Sequence, residues 1–152
     1  MDNKIFYVDT FLCPLCDSLK SKLKLFNQEH YNYHMFDNYS YMHIIWGIIY
    51  GLVFKDIKTV FLISSLFELI ENSYPIVELL RKSGEVQISD TWINIIGDTI
   101  CVIIGYFITK LGIILSIIIL ISIELFLYFK KGRSVIQFII LVTKTLLKQI
   151  NT

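Results

Sequence analysis

From residue 41 onward the chain is written as apolar runs separated by short polar breaks. The runs cover residues 41–54, 59–80, 90–110 and 111–129, and a shorter fifth covers 135–147. The breaks are Lys55, Asp56 and Lys58, a polar loop over 81–89, the turn Lys110-Leu111-Gly112, and a basic group of Lys130, Lys131 and Arg133. A helix needs about 20 predominantly apolar residues to cross a bilayer. The pattern therefore predicts an all-α polytopic transmembrane bundle of four spans. The first run is short and draws on its polar flanks. The last reads as a short fifth C-terminal helix, either interfacial or a marginal span.

Residues 1–38 break this pattern and form a cytoplasmic N-terminal segment, with 39–152 as the bundle. Leu19, Leu23 and Phe26 recur there at helical spacing behind Asp17 and Ser18, which suit a helix N-cap. That predicts an N-terminal amphipathic helix lying on the membrane or on the bundle. No cleavable signal peptide is visible.

Composition agrees with the membrane reading. The chain of 152 residues is 55% hydrophobic and only 18% charged, with mean hydropathy +0.61, whereas soluble domains are about one-quarter charged. A net charge of +1 gives no reason to expect a nucleic-acid partner. Three cysteines cannot all pair, so a disulfide framework is not expected. With the N-terminus on one side, most Lys and Arg of the N-terminal segment and of the breaks at 81–82 and 130–133 share that side. The bias makes it cytoplasmic and points to the plasma (inner) membrane.

The apolar runs carry polar groups in a regular arrangement. Asp90, Asn94 and Asp98 are spaced by four, on one helical face. Asp98 then stands about 12 Å deeper than Asp90, at about 1.5 Å per residue. An ionisable group in hydrocarbon costs roughly 2.5–3.5 kcal/mol on insertion scales, so it is functional or paired by default. Gly97, Cys101 and Gly105 form a neighbouring stripe of small residues that admits a close helix contact, as do Gly47 and Gly51 beside His43. Glu68 and Glu71 lie one turn apart in the second run, followed by Asn72 and Pro75. A helical Pro75 would kink that run and free the Glu71 carbonyl. Glu124 sits near the cytoplasmic end of the fourth run.

By depth, His43, Glu68, Glu71, Asp90, Asp98 and Glu124 all fall in the cytoplasmic half, which predicts one polar pocket. His43, Glu68, Glu71 and Asp98 are its candidate catalytic groups. Asn72, Arg81, Asp90, Asn94 and Glu124 are its candidate substrate-binding groups, with the planar fork of Arg81 suited to phosphate. Clustered acids need protons, a cation or basic partners. A His with several carboxylates makes a divalent-metal shell, and a metal there could act on a lipid or lipid-linked phosphate. The same groups could relay protons or an ion in a small transporter, or only hold helices together.

A second constellation lies in the N-terminal segment. Cys13, Cys16, His30 and His34 have spacings compatible with a metal site. Two features count against it: no glycine before Gly47 supplies tight turns, and a straight helix over 18–30 would put His30 about 18 Å from its start. A thioredoxin-like role for Cys13-Pro14-Leu15-Cys16 lacks its βαβ setting.

From Cys13 to Leu147 the chain resembles an uncharacterised bacterial membrane-protein family known as domain of unknown function 2585. The resemblance rests on Tyr39-Ser40 with His43-Ile44 and Gly47; on Glu68, Glu71-Asn72-Ser73 and Pro75; on Asp90, Asn94, Gly97 and Asp98; and on Glu124-Leu125. It also covers the cysteine pair, His34 and Asp37. The chain departs from the family at Trp46, where a second His is common, and at Met42 and Ile95, where Ser is usual. More distantly, the pattern is similar to VanZ-like membrane proteins. The resemblance implies topology and pocket positions, not a reaction.

Overall fold

The computed structural model describes residues 16, 18, 24–25, 32–82, 90–132 and 134–150. Among them lie six helices and no strand: α1 (Ser40–Val53), α2 (Ile57–Glu71), α3 (Tyr74–Lys82), α4 (Trp92–Lys110), α5 (Ile113–Lys131) and α6 (Val135–Ile150). The expected all-helical class is observed. Of the expected amphipathic helix near residues 18–30, Ser18, Lys24 and Leu25 are described and none of them is helical, so an unbroken helix over 18–30 is not observed. Arg81 and Lys82, expected in the loop over 81–89, continue α3, and residues 83–89 lie outside the described residues.

Local chemistry sets the helix ends. Asp56 caps α2, accepting from the Thr59 amide at 3.0 Å and the Thr59 hydroxyl at 3.1 Å. That backbone hydrogen bond holds the Asp56 carboxyl below its ordinary range. Thr91 caps α4 by accepting from the Asn94 amide. Gly112, between α4 and α5, has φ 125°, and Gly132, after α5, has φ 73°; both are conformations that side chains other than glycine rarely adopt. Ser134 and Gln137 form a reciprocal capping box at the start of α6. Glu124 reaches across from α5 and accepts the Val135 amide at 2.9 Å.

The second run is broken rather than kinked. It ends at Glu71, and α3 starts afresh at Tyr74 with Pro75 in its first turn, where a missing N–H costs nothing. Asn72 and Ser73 make the break. Asn72 folds its amide back onto the Glu68 carbonyl at 3.0 Å, and the Ser73 carbonyl accepts from Ile76 and Val77.

This break shortens the second predicted span, and the first is as short as its apolar run. α1 and α2 have 14 and 15 residues, or about 21–23 Å at about 1.5 Å per residue, against a hydrocarbon core of about 30 Å. Among the described residues two helices, α4 and α5, are long and apolar enough to cross a membrane. Four full spans, as the apolar runs suggested, are therefore not what helix length alone supports.

α4 is the centre of the bundle. α1 lies against it and runs the same way: Gly47 abuts Val102, Gly105 abuts Ile44 and Gly47, and Gly51 abuts Tyr106 and Thr109. A methyl group on Gly105 would run into the Ile44 carbonyl. α2 returns in the opposite direction, with Val60 packed on Val102 and Tyr106, and the Tyr106 hydroxyl donating to the Lys55 carbonyl at 2.7 Å. α5 touches α1 through Ile45 and Leu127 and through the Tyr41–Phe126 ring pair. Residues 32–38 are built into the same end of the bundle. The Asn32 carbonyl accepts from both the amide and the hydroxyl of Thr91 at 2.9 Å, and the Met35 carbonyl presses on Gly97.

Candidate functional site

Three helices bring polar side chains together at the end of the bundle covered by residues 32–38. α1 supplies His43, α2 supplies Glu68 and α4 supplies Asp98, all buried. The His43 ring stands between the two acids, with Nδ1 3.3 Å from Glu68 Oε1 and Nε2 3.5 Å from Asp98 Oδ2. The glycine face of α1 makes this approach possible, as the small-residue spacing anticipated. Ser40, one turn before His43, donates to Asp98 Oδ1 at 2.9 Å and accepts from the Asp37 amide at 3.1 Å.

The donor–acceptor count of this arrangement is incomplete. A neutral imidazole has one N–H and one lone pair, yet both ring nitrogens face carboxylate oxygens. The set is balanced only if the ring carries a second proton, a carboxyl carries one, or a cation sits among the oxygens. Neither Glu68 oxygen has a hydrogen-bond donor, so its contact with His43 is charge proximity rather than a directed bond. Glu71 Oε2 and Ser64 Oγ are buried without a hydrogen-bond partner as well. Glu71, Asp90 and Asp98 all lie within electrostatic reach of Glu68, and Glu71 also feels His43 and Asp37. Among the described residues, none of these carboxylates is ion-paired with Lys or Arg. Burying that much like charge without compensation is strongly unfavourable.

One ligand atom from each of His43, Glu68 and Asp98 lies within 4.8 Å of the other two. Ligand atoms sharing one ion with bonds of about 2.1 Å stand about 3–4 Å apart, so side-chain movement of about 1 Å would close a shell.

The other expected pocket residues have distinct places. Asn72 and Asp90 clasp each other: Asn72 Nδ2 donates to Asp90 Oδ2 at 2.9 Å, and the Asp90 amide donates to Asn72 Oδ1 at 2.7 Å. Asn94 turns to the covering segment and donates to the His34 carbonyl at 2.9 Å. Glu124 is engaged at the α5–α6 junction with Val135. Arg81 lies in α3, and its side chain is outside the described residues. Of the N-terminal set, Cys13 and His30 are also outside them. Cys16 and His34 are brought together, with Sγ 3.5 Å from Nε2.

Three residues near the triad had been given no role from sequence. Ser40 holds Asp98. Asp37 is 1% exposed and accepts from the Asn32 and Tyr39 amides at 2.9 and 2.6 Å. Ser64 lies one turn before Glu68. Spacings of three and four, from Ser40 to His43 and from Ser64 to Glu68, were the available signal. Trp46, the departure from the family pattern, pairs with Tyr50 and with Phe67 across the α1–α2 contact.

A family model described as a protein of unknown function (DUF2585) matches residues 6–148. No curated protein and no solved structure matches the chain.

Proposed function

The chain belongs to the DUF2585 family of proteins of unknown function, so its chemistry is read from its own side chains. We propose that it is a multi-pass integral membrane protein in which His43, Glu68 and Asp98 hold one divalent cation that acts on the phosphate of a lipid or lipid-linked substrate. The observation that carries this reading is the convergence of three buried ligands from three helices, with both Glu68 oxygens lacking a donor. A cation among them supplies the missing positive charge. Bound, it would polarise a phosphoryl oxygen or activate water. Glu71, one turn past Glu68 with a buried oxygen lacking a hydrogen-bond partner, is the group nearest in sequence to serve as proton acceptor.

The membrane placement follows the same logic. α4 and α5 cross, and α1 and α2 complete the passage with their polar flanks, since short helices are accommodated by local thinning. The excess of Lys and Arg puts the N-terminus in the cytoplasm. Asp98 stands six residues into α4, about 9 Å from its start, a depth that a lipid phosphate can approach from the cytoplasmic surface.

The test is metal analysis of the purified protein beside Glu68→Gln and Asp98→Asn, each checked for folding by thermal melt. The expected result is one equivalent of divalent cation lost in both variants, with phosphate released from a lipid-phosphate substrate by wild type alone. Metal content unchanged in both folded variants would overturn the reading. Proton flux in vesicles without bound metal would instead support a relay. That alternative has its own support in His43, flanked by a carboxylate at each ring nitrogen.

A further inference from the structure

Outside the carboxylate site, another pair of side chains among the described residues has the chemistry of a ligand set. Cys16 and His34 are 18 residues apart, 6% and 2% exposed, and face each other with Sγ 3.5 Å from Nε2. The other ring nitrogen of His34, Nδ1, is 2.6 Å from the Lys24 carbonyl oxygen. A carbonyl can only accept, so Nδ1 carries the proton. In the neutral ring, Nε2 then presents its lone pair to the sulfur. This is the tautomer and the outer contact that a metal-bound histidine characteristically shows, with its far N–H given to a backbone carbonyl. The separation fits too. Bonds of about 2.3 Å to sulfur and about 2.05 Å to nitrogen at a tetrahedral angle put the two ligand atoms about 3.6 Å apart.

We propose that Cys16 and His34 are two ligands of a second metal site, one that takes a thiophilic ion of the zinc type. It is independent of the His43–Glu68–Asp98 set. Thiolate and imidazole select zinc-like ions over the harder ions that carboxylates favour. The site's role is structural. The backbone of His34 accepts from Asn94 of α4, and Asn32, two residues before, accepts from Thr91. An ion on Cys16 and His34 would therefore tie residue 16 to the segment that covers the carboxylate site.

The experiment uses the full-length protein in detergent, stripped of metal and titrated with cobalt(II) as the spectroscopic probe. A thiolate-to-cobalt charge-transfer band is expected that saturates within two equivalents in wild type and at one equivalent in Glu68→Gln, which lacks the carboxylate site. It should vanish in Cys16→Ser, weaken or shift in His34→Gln, and persist in both Cys101→Ser and Glu68→Gln. Persistence in Glu68→Gln separates this site from the carboxylate site, whose failure would leave the band untouched. Should Cys16→Ser not fold, wild-type protein gives a second readout: zinc should slow Cys16 alkylation at least tenfold, as located by peptide mass mapping, and chelator should restore it. Absence of the charge-transfer band, its survival in folded Cys16→Ser, or alkylation insensitive to zinc would each overturn the proposal and leave an S–H···N hydrogen bond.

Discussion

α4 and α5 are the same length, 19 residues each, and both are apolar enough to cross a membrane. Their surroundings are opposite. The apolar window of α4 is 39% buried within the protein and that of α5 only 11%. α4 buries Asn94, Gly97, Asp98, Cys101 and Gly105, so the polar and small side chains of its spaced-by-four stripes turn inward. α5 buries Ser116 and Leu127, while Ile113, Ile114, Ile118 and Leu125 stand exposed. Hydrophobicity alone cannot tell the two apart. Small residues let α4 touch backbones directly, and polar ones need partners that lipid does not supply. Nearly uniform Ile and Leu give α5 no preferred neighbour.

The comparison predicts a graded series of stabilities in detergent. Gly105→Leu should have the largest effect. Its first added carbon already meets the Ile44 carbonyl and Gly47, which are backbone atoms and cannot swing aside. The expected cost lies at or above the upper end of the roughly 1–3 kcal/mol typical of overpacking, read as a lowered Tm. A variant as stable as wild type would remove α4 from the core.

Asn72→Ala comes next. It strips the Asp90 amide of its acceptor and the Asp90 carboxylate of a donor, at a cost on the order of 1–3 kcal/mol. If Asn72→Ala melts like wild type, the clasp between the α2 end and the α4 start contributes nothing measurable. Ser134→Ala should cost about 1 kcal/mol through the lost cap of α6, a loss confined to the α5–α6 junction in hydrogen exchange. Ile114→Ala, on the exposed face of α5, should change stability by no more than about 0.5 kcal/mol. A larger loss there would show that α5 has a protein neighbour, and a dimer in detergent by light scattering would identify it.

The four-residue spacings were legible because a helix turns them into faces without any tertiary information. That is why His43, Asp98 and the glycines could be assigned to one interior before their contacts were known. The loss of a continuous second span was less legible. Pro75 suggested a kink, but the full break depends on Asn72 bonding simultaneously to Glu68 and to Asp90, 18 residues further on. Cys16 and His34 showed the same limit. A straight helix over 18–30 would set His30 apart from Cys16, but no spacing in the sequence singles out His34 as the residue that the fold brings to within 3.5 Å of Cys16.

The sequence by itself determined the helical class and the polar and small-residue faces that carry His43, Glu68 and Asp98 inward. Those follow from local periodicity and from the cost of leaving charge in hydrocarbon. Only the tertiary structure decided that His43 stands between Glu68 and Asp98, that Ser40 holds the far side of Asp98, and that residues 32–38 cover them. Those contacts join positions 25–59 residues apart in the chain. Their geometry depends on how closely α1, α2 and α4 pack, a distance set by glycine contacts between helices and not by the period of any one of them.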